Sequence, residues 1–256
     1  MNDYKPILSF IVPTYNEEKH IPNLLASIKY CCSKLRISYE IIVVDDKSTD
    51  ETVKIAHDFN AKVVINDKRL GEYPSRNLGA SMAKGEILIF VSADVIVPYD
   101  TLHKLIISFK ENKRLVGMYV RTYPYDAPLI AKLEFIIWYI LTTLWYYVTG
   151  EANASTAFFA VKRDAFFTTQ GFEDVAYADS MLSRELSRRF EIRPVFKYFV
   201  YTSGRRIYEM GLKEFNKFHS VMFLDVLFPF LRKTNFLAYL KKYQKKCIHD
   251  RIVKRG

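Results

Sequence analysis

Two apolar runs that stop abruptly at polar turns restrict this chain more than any other feature. Residues 7–17 read ILSFIVPTYNE and residues 41–52 read IIVVDDKSTDET. A continuous apolar run fits a strand buried on both faces. In an open parallel sheet, ligands bind in the crevice beyond the carboxyl ends of the strands. Two such ends about 30 residues apart, with a helical stretch between them, read as the first half of a nucleotide-binding βαβ unit. The pattern continues along the chain. Strands at 7–13, 40–45, 62–66, 86–91 and 115–122 alternate with helices at 18–34, from about 50, 73–84 and 99–112. That alternation predicts a mainly parallel sheet flanked by helices. Ser48 and Glu51 have capping-box spacing for the helix near 50, with Thr49 and Asp50 as rival caps.

The rest of the sequence narrows the class. At 256 residues the chain is long enough to bury a sizeable core as one α/β domain. Cys31, Cys32 and Cys247 match neither a zinc spacing nor a disulfide framework, and are expected to be reduced thiols. The five histidines are scattered without ligand spacing. The N-terminal MNDYKP has no apolar core of a signal peptide, so a cytoplasmic location is expected.

Charge is unevenly placed. Residues 232–256 hold nine basic residues and one acid, net +8 of the chain's +10. The body is thus nearly neutral and the tail basic. Just before the tail, residues 218–231 read FHSVMFLDVLFPFL. An apolar anchor followed by a polybasic segment favours an anionic membrane surface over nucleic acid. A second uncharged stretch, FIIWYILTTLWYYV at 135–148, is short of the ~20 residues a spanning helix needs. Its tryptophans and tyrosines suit a membrane interface. Core packing and an acceptor-facing role remain open for it.

Carboxylates at strand ends suggest the chemistry. Asp45 or Asp46 could accept a hydrogen bond from a base N–H or a ribose hydroxyl, or could merely cap the following turn. Asp94 ends the run ILIFVSAD, where a carboxylate could ligate a hard divalent cation.

VPTYNE followed by VVDDKSTDET resembles the opening of family 2 nucleotide-sugar glycosyltransferases, which have the GT-A fold. Arg76-Asn77-Leu78-Gly79, running into Ala83-Lys84-Gly85-Glu86, extends the resemblance, which is close over residues 7–122 and looser over 150–211. It implies that Asp46 contacts the nucleotide, with Pro13, Tyr15 and Glu17 lining the other side of the base. It implies metal binding at Asp94 by manganese or magnesium. Here the chain departs from the family's Asp-x-Asp, because Ser92-Ala93-Asp94 lacks the first carboxylate, so weaker metal dependence is expected. Arg76 is expected on a phosphate or on a base-side carboxylate, with Lys68 and Arg69 as competitors. The family's base is the Asp of a Glu-Asp pair at a helix start, and YADSMLSREL places Asp179 there, with Ala178 where Glu is usual. Glu173-Asp174 is the rival pair. Thr202-Ser203-Gly204-Arg205-Arg206 resembles a family stretch in which Arg205 and Arg206 could close over the diphosphate.

The expectation is an α/β protein of GT-A, Rossmann-like type with a C-terminal helical membrane-associating extension. Residues 1–122 would bind the nucleotide, 123–211 the acceptor, and 212–256 would form an amphipathic, basic extension. The implied activity is inverting transfer from a UDP- or GDP-sugar to a glycan or lipid-linked acceptor, peripheral on a membrane. A non-catalytic nucleotide-sugar binder is the first alternative. A nucleotidyltransferase is the second, disfavoured because PTYNEE lacks the glycines of a phosphate loop.

Overall fold

The computed structural model describes residues 6–175, 177–211, 213–217 and 220. Its first half runs β1 (Leu8–Thr14), α1 (Ile21–Leu35), β2 (Tyr39–Asp45), α2 (Thr52–Asp58), β3 (Lys62–Ile65), α3 (Glu72–Met82) and β4 (Ile87–Val91). It continues with β5 (Val95–Ile96), α4 (Tyr99–Glu111), β6 (Leu115–Pro124), α5 (Leu129–Thr149), β7 (Phe158–Lys162), α6 (Arg163–Phe166), α7 (Ala178–Ser187) and β8 (Glu191–Thr202). The strands form one sheet in the order β3-β2-β1-β4-β7-β6-β8-β5. β3, β2, β1 and β4 are parallel, as are β6 and β8, while β7 and β5 pair antiparallel with their neighbours. The sheet is therefore mainly parallel, as the alternation predicts.

The strands named by their apolar runs form as expected because each is buried on both faces. All five residues of β4 are buried. α1 covers one face with Ile21, Leu24, Leu25 and Ile28, all fully buried. Each such side chain contributes about 1.5–3 kcal/mol relative to exposure. α3 lies close against the other face through Gly79, where an added Cβ would stand 2.6 Å from Ile11 Cγ2. Cys31 and Cys32 are buried free thiols, and burial pushes them up to about 11 and about 12, so both are unreactive packing groups.

Two local expectations change. The capping box at Ser48 and Glu51 does not form: α2 starts at Thr52, and the Ser48 hydroxyl bonds Asp45 instead. Asp50, the rival, accepts from the Thr52 backbone N–H at 3.0 Å. The uncharged stretch 135–148 is the C-terminal two thirds of a longer helix, the 21-residue α5.

The chain divides into two compact units. One comprises the residues up to Asp174 with Ala178–Gly204, and holds the whole sheet. The other comprises Val175, Tyr177 and the described residues from Arg205 on, including α8 (Arg205–Met210). Most of the expected 212–256 extension lies outside the described residues.

Candidate active site at the carboxyl edge of the sheet

The β1–β2 register sets Thr14 beside Asp45, so both strands end level. Their turns interlock. Thr14 Oγ1 donates to Asp45 at 3.0 Å, and the Ser48 backbone N–H donates to the same carboxylate at 2.8 Å. The Asn16 N–H donates to Ser48 Oγ, and the Asn16 amide oxygen accepts from the Thr49 N–H, both at 2.8 Å. Asn16 (φ 53°) and Lys47 (φ 66°) hold left-handed backbone in these turns, a cost tolerated where surrounding bonds over-determine the chain. Asp45 is thus a turn carboxylate.

Asp46 is buried and organises the next loop. Oδ1 accepts from Asn66 Nδ2 at 3.0 Å and from the Leu70 N–H at 2.7 Å, and Oδ2 accepts from the Gly71 N–H at 3.0 Å. Arg69 Nε stands 3.8 Å from Oδ2, and its guanidinium carbon lies 3.5 Å from the centre of the Tyr15 ring. A carboxylate has about four acceptor positions. Three are filled here, and the fourth faces Arg69. Pro13 and Tyr15 are half-buried at the end of β1, and Glu17 is buried beside them, its backbone N–H donating to Thr52 Oγ1 at 2.8 Å.

Arg76 is fully buried beneath the turn after β4 rather than projecting from its helix. Nη2 donates to Glu72 Oε1 at 2.7 Å and to Ser92 Oγ at 3.2 Å. Nε is buried with no hydrogen-bond partner among the described residues. Ser92 therefore sits against a fixed cation where the resemblance would put a carboxylate. Two residues on, Asp94 is buried, and its backbone oxygen accepts from the Ser203 N–H at 3.3 Å.

Asp179, near the start of α7, collects donors from separate parts of the chain. Oδ2 accepts from the Thr156 N–H at 3.1 Å and from Thr156 Oγ1 at 3.3 Å. Oδ1 accepts from the Ser180 N–H at 2.9 Å and from the Tyr73 hydroxyl at 3.3 Å. Burial raises its carboxyl above the ordinary carboxylate range; the Thr156 N–H opposes this, and the Glu72 charge adds to the rise. Ser92 Oγ also lies 3.5 Å from the Thr156 backbone oxygen. Arg76, Ser92, Thr156 and Asp179 thus form one connected patch. The rivals Glu173 and Asp174 are exposed on a loop that Asn77 holds from α3. The Asn77 side-chain amide donates to the Phe172 oxygen at 2.7 Å and accepts from its N–H at 2.9 Å. Gly171, at φ +74°, passes so close that a Cβ would stand 2.5 Å from Asn77 Oδ1.

Tyr73, Thr156 and Asp126 were not legible as site residues. Asp126 grips the end of β8, accepting from Ser203 Oγ at 3.1 Å and from the Gly204 N–H. Arg205 and Arg206 open α8 and belong to the second unit.

No group of three His, Cys, Asp or Glu side chains is placed to hold a metal ion among the described residues. A hard divalent cation can instead be bound by one or two carboxylates plus substrate phosphates, keeping several waters. Asp94 as the single protein carboxylate fits that mode.

A parallel-start sheet with its carboxylates gathered at one edge and two antiparallel insertions defines the GT-A class of fold. Three comparisons bear this out. A mannosyltransferase from Pyrobaculum calidifontis, PcManGT, solved with GDP-Man and Mn2+, superposes with a TM-score of 0.64 at 22% identity, covering 81% of this chain and 61% of that one. S. aureus TarS in complex with UDP gives 0.60 at 21%, covering 77% and 60%. An undecaprenyl-phosphate 4-deoxy-4-formamido-L-arabinose transferase of Pseudomonas fluorescens is 29% identical over 116 residues, which is 43% of this chain and 34% of that protein. The chain thus matches about a third of that relative's length. The model of glycosyl transferase family 2 matches residues 9–168, well over half the chain, and the chain belongs to that family.

Proposed function

We propose that the chain is an inverting glycosyltransferase that moves a sugar from a UDP- or GDP-sugar to an acceptor hydroxyl or lipid phosphate. The observation that carries this reading is Asp179, a half-buried carboxylate with raised proton affinity, linked through Thr156 and Ser92 to the donor end of the sheet. Residues 1–122 hold the donor. Its base stacks at Tyr15 between Pro13 and Glu17, and one base N–H takes the acceptor position of Asp46 that faces Arg69. Arg76 stabilises the turn that carries Ser92 and Asp94. Residues 123–211 receive the acceptor. Residues 212–256 hold the protein on the cytoplasmic face of a membrane.

The acceptor oxygen attacks the anomeric carbon from the side opposite the diphosphate. The new C–O bond forms as the bond to the diphosphate breaks, and the diphosphate leaves with the electron pair. A hydroxyl acceptor gives its proton to Asp179, which the raised pKa favours as a proton acceptor. A phosphate acceptor arrives ionised and needs no base. A divalent ion held by Asp94 and the donor's phosphates would act as a Lewis acid that neutralises charge on the leaving group.

The test pairs binding with turnover. UDP and GDP, with and without manganese, are screened for thermal stabilisation, since specific binding raises the unfolding transition. Nucleoside diphosphate release from UDP- and GDP-sugars is then followed with membrane extract as acceptor. Release with an inverted product confirms the reading. Nucleotide binding with no release at all favours the non-catalytic binder, which the Ser92 substitution makes the principal rival.

A further inference from the structure

α5 carries a surface that the transfer chemistry does not use. Only a few of its residues, among them Ala131, Tyr139 and Thr143, are buried against the protein. Ile130, Leu133, Ile137, Ile140, Leu144 and Val148 are exposed, Val148 at 84%. At 3.6 residues per turn these six fall within about 100° of the helix circumference. A stripe of that width normally faces a core. Here it faces outward, with no charged residue in it. The helix is long and apolar enough to cross a membrane.

The topology rules crossing out. β6 runs with the parallel strands and leaves the sheet at its carboxyl edge, whereas β7 runs the other way and enters from that same edge. Both ends of α5 are therefore tethered there. Before it, the Tyr125 N–H donates to the Thr202 oxygen at 3.1 Å; after it, the Ala152 and Ala154 N–H groups donate to Ser187 and Ser183 hydroxyls at 3.0 Å. Its inner face packs on β6 and β8. A helix held at both ends and along one side lies flat.

The flanks identify the occupant. Trp138 and Trp145 are half-buried beside the stripe, as rings at headgroup level are. On β8, exposed Arg193 and Lys197 bracket Phe196, whose ring stands 5.2 Å from that of Tyr139. Arg193 pairs with Glu191, and Lys132 lies over the Tyr123 ring. Lys197, beside the exposed Phe196 ring, is the cation of this flank that an anionic lipid surface complements.

We propose that α5 seats the protein in the interface of an anionic bilayer, flat in its plane, with the Ile137 and Leu144 side chains in the acyl boundary. The segment leaving α5 carries Thr156 to Asp179, so a lipid-anchored acceptor would enter at the membrane surface. That last clause rests on the proposed function; the bilayer contact does not.

The test uses the full chain with Cys247→Ser, leaving the buried Cys31 and Cys32. A bimane label at Ile137→Cys is followed as phosphatidylcholine–phosphatidylglycerol vesicles are added, and flotation is run in about 0.5 M salt, where attraction of the basic tail is screened. The label's emission should shift to the blue. The double variant Ile137→Glu, Leu144→Glu should float at least about tenfold less, with its thermal transition and nucleotide response unchanged. An unshifted label, or a double variant that floats like the parent, overturns the proposal. So does a parent that ignores vesicles but is a dimer that the double variant splits, which would make the face an interface between copies. None of these readouts involves sugar transfer, so their failure leaves the glycosyl-transfer reading intact.

Discussion

Asp46 and Asp179 are both carboxylates at the same edge of the sheet, yet they are held in different ways. Asp46 is satisfied by one loop, residues 66–71, within 25 positions of it in sequence. Asp179 draws on α3, on the segment before β7 and on its own helix, and its most distant donor, Tyr73, is 106 residues away. The first arrangement fixes a loop. The second keeps a titratable group in a desolvated place and resists its ionisation. Of the two, Asp179 is the candidate for proton transfer, because burial raises its proton affinity.

The largest expected effect breaks that contrast directly. Asp179→Asn should cost at least about 100-fold in transfer to a hydroxyl acceptor, with nucleotide affinity unchanged by calorimetry. Near-normal turnover, with Glu173→Gln or Asp174→Asn inactive instead, would move the base to the exposed pair. Asp46→Ala comes next. It leaves the Leu70 and Gly71 amides without their acceptor and Asn66 Nδ2 with Ser75 alone, at about 1–3 kcal/mol for each amide that stays buried. The unfolding midpoint should drop by several degrees, together with a loss of nucleotide affinity of about tenfold. A midpoint that does not move would mean that Asp46 serves the donor alone, and the contrast would fail.

Asp94→Ala should weaken nucleoside diphosphate binding severalfold in manganese and little in chelator, because Asp94 would hold the ion that neutralises the phosphates. An equal loss under both conditions would place Asp94 on the nucleotide itself. The smallest effect is a shift in a pH profile. With Asp179 as the proposed base, which must be ionised, activity should fall as pH drops through its raised pKa. Glu72→Gln removes a negative charge that raises that pKa. The acid limb of kcat/KM should therefore move to lower pH, by less than about one unit. A shift to higher pH would show that the loosened Arg76, not Glu72, controls the group.

The donor half was readable because its signals are local. The runs LSFIVPT and EIIVVD name their strands outright, and the turns that follow carry Asp45 and Asp46. β8 was not read: EIRPVFKYFVYT mixes charges with Pro194, and its pairing with β6 shifts register between Val120 and Arg121. β5 is two residues long and exists through its pairing with β8. Periodicity could not say which side of α5 faces out, since that helix is apolar nearly all round. Asp179 was found through a motif, but Tyr73 and Thr156 come to it by tertiary packing, for which a single sequence has no marker. The apparent capping box at Ser48 failed because the Asp45 carboxylate, three residues back, competes for the same hydroxyl.

α3 touches three parts of the candidate site at once. Glu72 and Arg76 buttress the turn that carries Ser92, Tyr73 reaches Asp179, and Asn77 clips the loop in front of it. The three contacts fall within six consecutive residues of one rigid rod. A shift of that rod as a nucleotide sugar enters would be felt at the base and at the acceptor loop in the same instant. The protein would then have no need of a separate messenger to keep a stray water from being activated before the sugar is in place; the sequence of events would be set by the stiffness of less than two helical turns.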